Sequence, residues 1–276
     1  MLFCDTALAA RIERAERRLL LDCVTASRQR DAAAGAVAIP LAGGVAAFTG
    51  PDAPTNKVAG LGFEGPVPEP ALVEVEHAFA ERRCAVRVEL STLADPSIGT
   101  LLTSRGYRLL GFENVLGKPL GVGDAGPVLA ADVTESPADE LDAWLDVRVT
   151  GFATPDLQGV PSTESFPREV IERAMEDLVR AEGFTRYTAR RGGALAGAAS
   201  MRLFEGVALL TGAATLPTER RKGVQSALLH ARLRAAREAG CDVAVITTQP
   251  GSKSQQNVQR LGFSLLYARA VLVREG

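Results

Sequence analysis

Two stretches of the chain read alike at a constant offset of 156 residues, and this repeat limits the possible folds more than any other feature. Ser104-Arg105-Gly106-Tyr107-Arg108-Leu109-Leu110, followed by Val115-Leu116, matches Arg260-Leu261-Gly262-Phe263-Ser264-Leu265-Leu266, followed by Val271-Leu272. At the same offset Ser91-Thr92 overlies Thr247-Thr248. Chance likeness of two strand-helix-strand units is the competing explanation, but duplication of one α/β unit accounts for more of the pattern. A chain of 276 residues also fits two domains of about 130 to 150 residues each. The stretch 117–126, with four glycines and Pro119, is the linker candidate, so the expected domains are 1–121 and 122–276.

Periodicity supplies the elements. Residues 5–27 predict a helix, with Ala9, Ile12, Ala15, Leu19 and Val24 near helical spacing. Residues 36–41 and 45–49 predict a hairpin turning at Gly43 and Gly44, 57–63 a further strand, 70–83 a helix and 85–91 a strand. A helix over 95–104 carries Asp95 as its cap and Pro96 at its first position. Beyond the linker the pattern predicts strands at 128–133, 185–190, 194–204, 207–216, 243–248 and 263–274. Helices are expected at 137–149, 167–180, 223–239 and 254–261, with Ser136 as the cap of the first and an irregular segment at 154–165.

Composition narrows the class. Apolar residues are 46% and charged residues 23%, as expected of a globular chain, and the net charge of -2 gives no general reason to bind nucleic acid. No run of eighteen apolar residues occurs, and the first ten residues carry Asp5 without a basic leader, so a cytoplasmic protein is expected. The four cysteines, Cys4, Cys23, Cys84 and Cys241, are far apart, and the histidines are only His77 and His230, which argues against a metal site. Cys84 and Cys241 each precede a β-rich segment, where cysteine is usually a small buried hydrophobe.

The chemistry concentrates between Val207 and Ala239. A β-rich run ends at Leu216-Pro217, and Arg220-Arg221-Lys222-Gly223-Val224-Gln225-Ser226 opens a long helix. The first turn of a helix has backbone amides without intrahelical partners and adds about half a positive charge, so it can hold a pyrophosphate. Gly223 lets phosphate oxygens approach the backbone, and Arg220, Arg221 and Lys222 add charge for a further phosphate. Basic residues at a helix start oppose its dipole, so three of them call for an anion, the alternative being a loop with incidental surface charges. Val224, Ala227, Leu228 and Ala231 form an apolar stripe that fixes the helix start against a core, while Arg232, Arg234 and Arg237 read as a solvated face.

This segment resembles the acyl-CoA turn of the GNAT superfamily of N-acetyltransferases, whose signature is Gln/Arg-x-x-Gly-x-Gly/Ala. Arg220 and Gly223 meet it, and Gln225 replaces the final small residue. The flanks agree: Ala213-Ala214-Thr215-Leu216-Pro217 before it, then Gln249-Pro250-Gly251-Ser252, Asn257 and Leu261-Gly262-Phe263 after it. The resemblance spans 128–274 and implies an α/β, GNAT-like fold of two tandem domains, each a mixed, mostly antiparallel sheet flanked by helices. It implies acetyl-CoA as acyl donor, with Ala214, Thr215 and Leu216 at the pantetheine arm. The amides from Arg221 to Ser226 would hold the pyrophosphate, and Ser252 and Asn257 would add contacts. The first half reads as a degenerate copy, with Glu64-Gly65-Pro66-Val67-Pro68-Glu69-Pro70 where the basic turn should be.

Acyl transfer to an amine needs a neutral nucleophile, and deprotonating an alkylammonium at pH 7 costs about 4 to 5 kcal/mol. Base candidates are Glu164 and Asp156 in the irregular segment, or Glu205; the run 207–216 carries no carboxylate. The family's usual tyrosine acid falls at Val258, which leaves Tyr267 on the closing strand as the substitute. A backbone N–H near Thr215 or Leu216 would face the developing oxyanion. Trp144 falls on the helix expected to line the acceptor side, though a core position is its commoner role. The expected activity is N-acetylation of a small-molecule amine, by an acyltransferase transferring groups other than aminoacyl groups. No metal, nucleic acid or membrane is expected to take part, and the protein would be a monomer or homodimer. The alternatives are a non-catalytic acyl-CoA sensor and a protein or peptide acyltransferase.

Overall fold

The computed structural model describes residues 2–121, 130–154, 160 and 166–275. In chain order the elements are α1 (Thr6–Arg30), β1 (Val37–Leu41), β2 (Gly44–Phe48), β3 (Lys57–Ala59), α2 (Glu69–Glu81), β4 (Val86–Ser91), α3 (Ser97–Ser104) and β5 (Arg108–Pro119). There follow β6 (Asp132–Glu135), α4 (Leu141–Ala153), α5 (Arg168–Val179), β7 (Phe184–Arg191), β8 (Ala194–Phe204), β9 (Val207–Leu209) and β10 (Ala213–Thr215). The chain ends with α6 (Val224–Glu238), β11 (Val243–Thr248), α7 (Lys253–Arg260) and β12 (Ser264–Arg274). The repeat recurs in the elements: α3 to α7 (253 − 97) and β5 to β12 (264 − 108) are both displaced by 156 residues. Among the described residues no helix is long and apolar enough to cross a membrane.

Two compact units emerge. The first comprises Met1–Val115, Glu176–Ala181 and Leu265–Gly276, the second Leu116–Met175 and Glu182–Ser264. In the first, the sheet runs β1-β2-β3-β4-β12, with β3 parallel to β4 and the other pairs antiparallel. The β1–β2 turn places Ala42 and Gly43 at φ 43° and 83°, the twist a two-residue hairpin needs. Asp5 caps α1 by accepting from Leu8 N–H at 2.8 Å, and the expected stripe of Ala9, Ile12, Ala15, Leu19 and Val24 is buried. Beside that stripe lies a buried ionic network. Glu13 accepts from Tyr267 Oη at 2.7 Å and Arg269 Nε at 2.8 Å, and Lys57 Nζ bridges Glu16 and Glu89 at 2.8 and 2.9 Å.

The second unit's sheet runs β11-β9-β8-β7-β6, parallel between β11 and β9 and antiparallel elsewhere. Its core joins Val224, Ala227, Leu228 and Leu229 of α6 to Tyr187, Ala199, Met201, Ala208 and Leu210 of the sheet. Each fully buried leucine contributes about 1.5–3 kcal/mol, so the start of α6 is anchored on the sheet.

Several sequence expectations need correction. Residues 117–119 belong to β5 and are not linker; Lys118 Nζ donates to Leu261 O at 2.9 Å, and Leu120 N–H to Asp242 O at 2.8 Å. Most of the remaining linker stretch, 122–126, lies outside the described residues, as does the start of the strand expected at 128–133. The strand expected at 57–63 is only Lys57–Ala59, because Gly60 and Gly62 take φ 76° and 88°. The run 207–216 is two strands rather than one. Arg232 is buried, not solvated, with its guanidinium donating to the carbonyls of Leu228, Ser200 and Thr211.

Candidate functional site

The break between β9 and β10 creates the site. Leu210 N–H still donates to Val245 O of β11 at 2.8 Å, but β10 pairs with β8 and not with β11. At the break Ser200 N–H is shared between the carbonyls of Thr211 and Gly212, at 3.3 and 3.2 Å. Gly212 is required there because a Cβ would lie 1.9 Å from Arg148 Nη2. The register pairs Ala213 with Ala199 and Thr215 with Gly197, and Leu216 N–H donates to Ala196 O at 3.0 Å. Antiparallel alternation therefore turns the N–H groups of Ala213 and Thr215 to the edge away from β8. No main-chain bond among the described residues engages them. Gly151 of α4 permits this close packing, since its Cβ would fall 2.4 Å from Ala214 Cβ.

The start of α6 faces the same space. Gly223 is its cap at φ 79° and ψ 1°, with no side chain capping the helix. The first-turn amides of Val224, Gln225 and Ser226 are thus left for another acceptor. A cavity of about 510 Å³ is lined by these residues with Ala213, Ala214, Thr215, Arg220, Arg221 and Gly223, and by Gln249, Ser252, Lys253, Ser254, Asn257 and Arg260 beside and within α7. Gly151, Val160 and Glu219 complete it.

Charge around the cavity suits an anion. Arg220, Arg221, Lys253 and Arg260 supply cations, and Arg220 also donates to the carbonyl and hydroxyl of Thr154. Glu219 is the one carboxylate among the described lining residues, and it is tied to Arg191 at 2.7 Å and Lys222 at 3.2 Å. Those hydrogen bonds, Arg191's first, hold its carboxyl below the usual carboxylate range. Gln225, the departure from the family signature, turns away from the amides: its Oε1 accepts from Asn257 Nδ2 at 2.6 Å. The longer side chain is thereby held against α7. Ser252 caps that helix through Gln255 N–H at 3.2 Å.

Ten of the sixteen sequence candidates therefore meet at one cavity: Ala214, Thr215, Arg220, Arg221, Gly223, Val224, Gln225, Ser226, Ser252 and Asn257. Leu216 and Lys222 are not among its lining residues. The amide of Leu216 is committed to Ala196, and the ammonium of Lys222 points to Glu219. Tyr267, expected as the acid, is placed elsewhere by the structure. It is buried in the first unit with its hydroxyl committed to Glu13, and burial with that carboxylate pushes its pKa well up. Glu164 and Asp156 lie outside the described residues. Glu205, the remaining base candidate, is in the turn between β8 and β9 and does not line the cavity.

Val258 is buried in the core of the second unit, and Trp144 is fully buried with its indole N–H on Ala199 O at 3.1 Å. His77 is exposed on α2. Burial raises the pKa of the half-buried Cys84 thiol. Sequence reasoning missed Gly151, Lys253, Ser254 and Arg260. A glycine inside a helix costs about 1 kcal/mol, so Gly151 was a visible sign of close packing, and Arg260 stands one helical turn beyond Asn257.

Residues 152–263 match the family described as "Acetyltransferase (GNAT) family". Comparison with curated proteins gives no match. Among solved structures, a GCN5-related N-acetyltransferase from Kribbella flavida aligns over 93% of this chain and 96% of its own, at 16% identity and TM-score 0.64. A tandem GNAT protein from the clavulanic acid biosynthesis pathway aligns over 84% and 78%, at 15% identity and TM-score 0.55. A GNAT-family acetyltransferase from Colwellia psychrerythraea aligns over 84% and 81%, at 15% identity and TM-score 0.50. These alignments extend through both units, so the likeness in fold includes the first half.

Proposed function

We propose that this chain, which carries a GNAT acetyltransferase domain at residues 152–263, uses acetyl-CoA to acetylate the amine of a small molecule. One observation carries the reading: the uncapped amides at the start of α6 and the free edge of β10 face the same basic cavity. Acetyl-CoA supplies the activated thioester when bound. The amides of Val224, Gln225 and Ser226 hold its pyrophosphate, with Arg220, Arg221 and Arg260 adding charge. Ala213, Ala214 and Thr215 offer a strand edge to the pantetheine amides. The N–H of Ala213 or Thr215, rather than that of Leu216, faces the thioester oxygen as negative charge develops.

Proton handling follows from the groups present. Glu219 is a weak base because two cations hold its charge, so the base is assigned to Glu164, beyond α4. No tyrosine lines the cavity among the described residues. A thiol ionises near pH 8.5, so the departing thiolate needs little help from an acid near neutral pH. The halves 1–121 and 122–276 then divide the work, the second binding the donor and the first supporting it without a basic turn.

The missing tyrosine and the tied-up Glu219 favour a second reading, a non-catalytic acyl-CoA-binding protein. Release of free thiol from acetyl-CoA across a panel of amines, with CoA affinity measured by calorimetry, separates the two. Turnover that falls in the E164Q variant supports the transferase. Binding with no turnover on any amine supports the second reading, and absence of CoA binding removes both.

A further inference from the structure

The second unit buries Arg148, Arg202 and Arg232, and the contacts of Arg148 and Arg232 include no carboxylate among its described residues. Arg232 is satisfied by three carbonyls. Arg148, on α4, is not: it is 2% exposed, its Nη1 donates to Ser200 Oγ at 3.1 Å, its Nη2 approaches Met175 Sδ at 3.4 Å, and its Nε has no partner. Its guanidinium lies 4.9 Å from the ring of Trp144 and 5.4 Å from that of Phe152. Burial, then the neighbouring Arg232, pulls its pKa down to about 9, so it keeps its charge at neutral pH. A buried guanidinium with an idle donor and no acid is costly unless an anion joins it.

Its position gives the charge a purpose. Gly212 lacks the Cβ that would meet Nη2, so the guanidinium rests against the strand one residue before Ala213 and three before Thr215. At a rise of about 3.3 Å per residue, it lies roughly 3 to 10 Å from the edge that would receive the acyl carbonyl. An amino acid's amine and carboxylate, about 3 Å apart, fit within that reach once a contact of about 3 Å is added at each end. Phe152, whose ring lies 5.4 Å from the guanidinium, is 49% exposed, so this neighbour of Arg148 reaches solvent.

We propose that Arg148 is a specificity-determining residue that binds the carboxylate of the acceptor, and that the acceptor class is amino acids and related amino-carboxylates. The inference rests on the transferase reading for its wording, but its test does not require turnover. Trp144 is the only tryptophan, so its fluorescence reports directly on the guanidinium stacked against it.

The full-length protein with CoA present is titrated with N-acetyl derivatives of the twenty common amino acids, each as the free acid and as the amide. We expect at least one acid to give a saturable change and its amide to bind about 10- to 100-fold more weakly. R148Q should abolish that preference while its circular dichroism and Tm show it folded, and R148K should retain part of it. Equal responses to acids and amides, or no response to any acid, overturn the proposal on the wild-type protein alone. So does a preference that survives in folded R148Q. If acids are preferred but no amine releases thiol from acetyl-CoA, the carboxylate site stands and the transferase reading falls.

Discussion

Replacing Gly223 by alanine probes the turn on which the proposed donor site depends. The residue sits at φ 79°, and an added Cβ would lie 2.7 Å from Ala130 Cβ, about an ångström inside carbon–carbon contact distance. Holding alanine in the left-handed region costs about 1–2 kcal/mol, which corresponds to a fall in Tm of about 2–8 °C for a domain of this size. The clash with Ala130 adds a displacement of the helix start, so the amides of Val224, Gln225 and Ser226 no longer converge. A hydrogen bond to a charged group contributes about 1.5–3 kcal/mol, so losing one such contact predicts CoA binding weaker by about 10- to 100-fold. G193A is the control. Gly193 has φ 82° in the β7–β8 hairpin, nothing lies within 4 Å of its added Cβ, and it does not line the cavity. That variant should lose similar stability and keep its CoA affinity. Calorimetry showing a folded G223A with wild-type affinity, or equal weakening by both changes, would refute the reasoning.

Three further outcomes follow. Y267F should lower stability by about 1–3 kcal/mol, because Glu13 loses a buried donor, while thiol release stays within about twofold of wild type; a large drop in turnover at unchanged Tm would return Tyr267 to the chemistry. Q225A should leave CoA affinity within about threefold, since that side chain is engaged with Asn257 rather than with the amide cluster; titration calorimetry decides. Glu113 has its pKa raised to about 7 by burial first and then by Glu89, so the folded state binds its proton more tightly than the unfolded chain. Its contribution to stability is therefore present in full below the ordinary carboxylate pKa and lost as pH rises to about 7. Across that window E113Q should show a smaller fall in Tm than wild type, and an equally steep fall would reject the assignment.

The features legible in the sequence are those with local causes. The stripe Val224, Ala227, Leu228, Ala231 sets α6 against its core, and Gly223 sets its start, so the anion turn needs only its own neighbours. The split between β9 and β10 was not legible, because 207–216 is a continuous run of good strand residues. At that split the guanidinium of Arg148 arrives from α4 and excludes any side chain at Gly212, a contact that no local pattern announces. Arg232 was misread for a related reason. It stands one turn beyond Leu228, beside the apolar stripe, and residue type suggested solvent; three carbonyls from α6, β8 and the strand break make burial tolerable instead.

Tyr267 shows the same limit at longer range. Counting from Gly262 places it on the closing strand, but that strand pairs with β4, and the partner of its hydroxyl is 254 residues earlier in the chain. The turn proposed to recognise the donor is thus written locally. The position of each acid, base or buried cation is decided by which strand lies beside which, and that depends on residues no short motif contains. Arg148 therefore tests the proposed acceptor more sharply than the signature does, because no carboxylate among the described residues of its unit offsets its charge and Gly212 is bare where it lies.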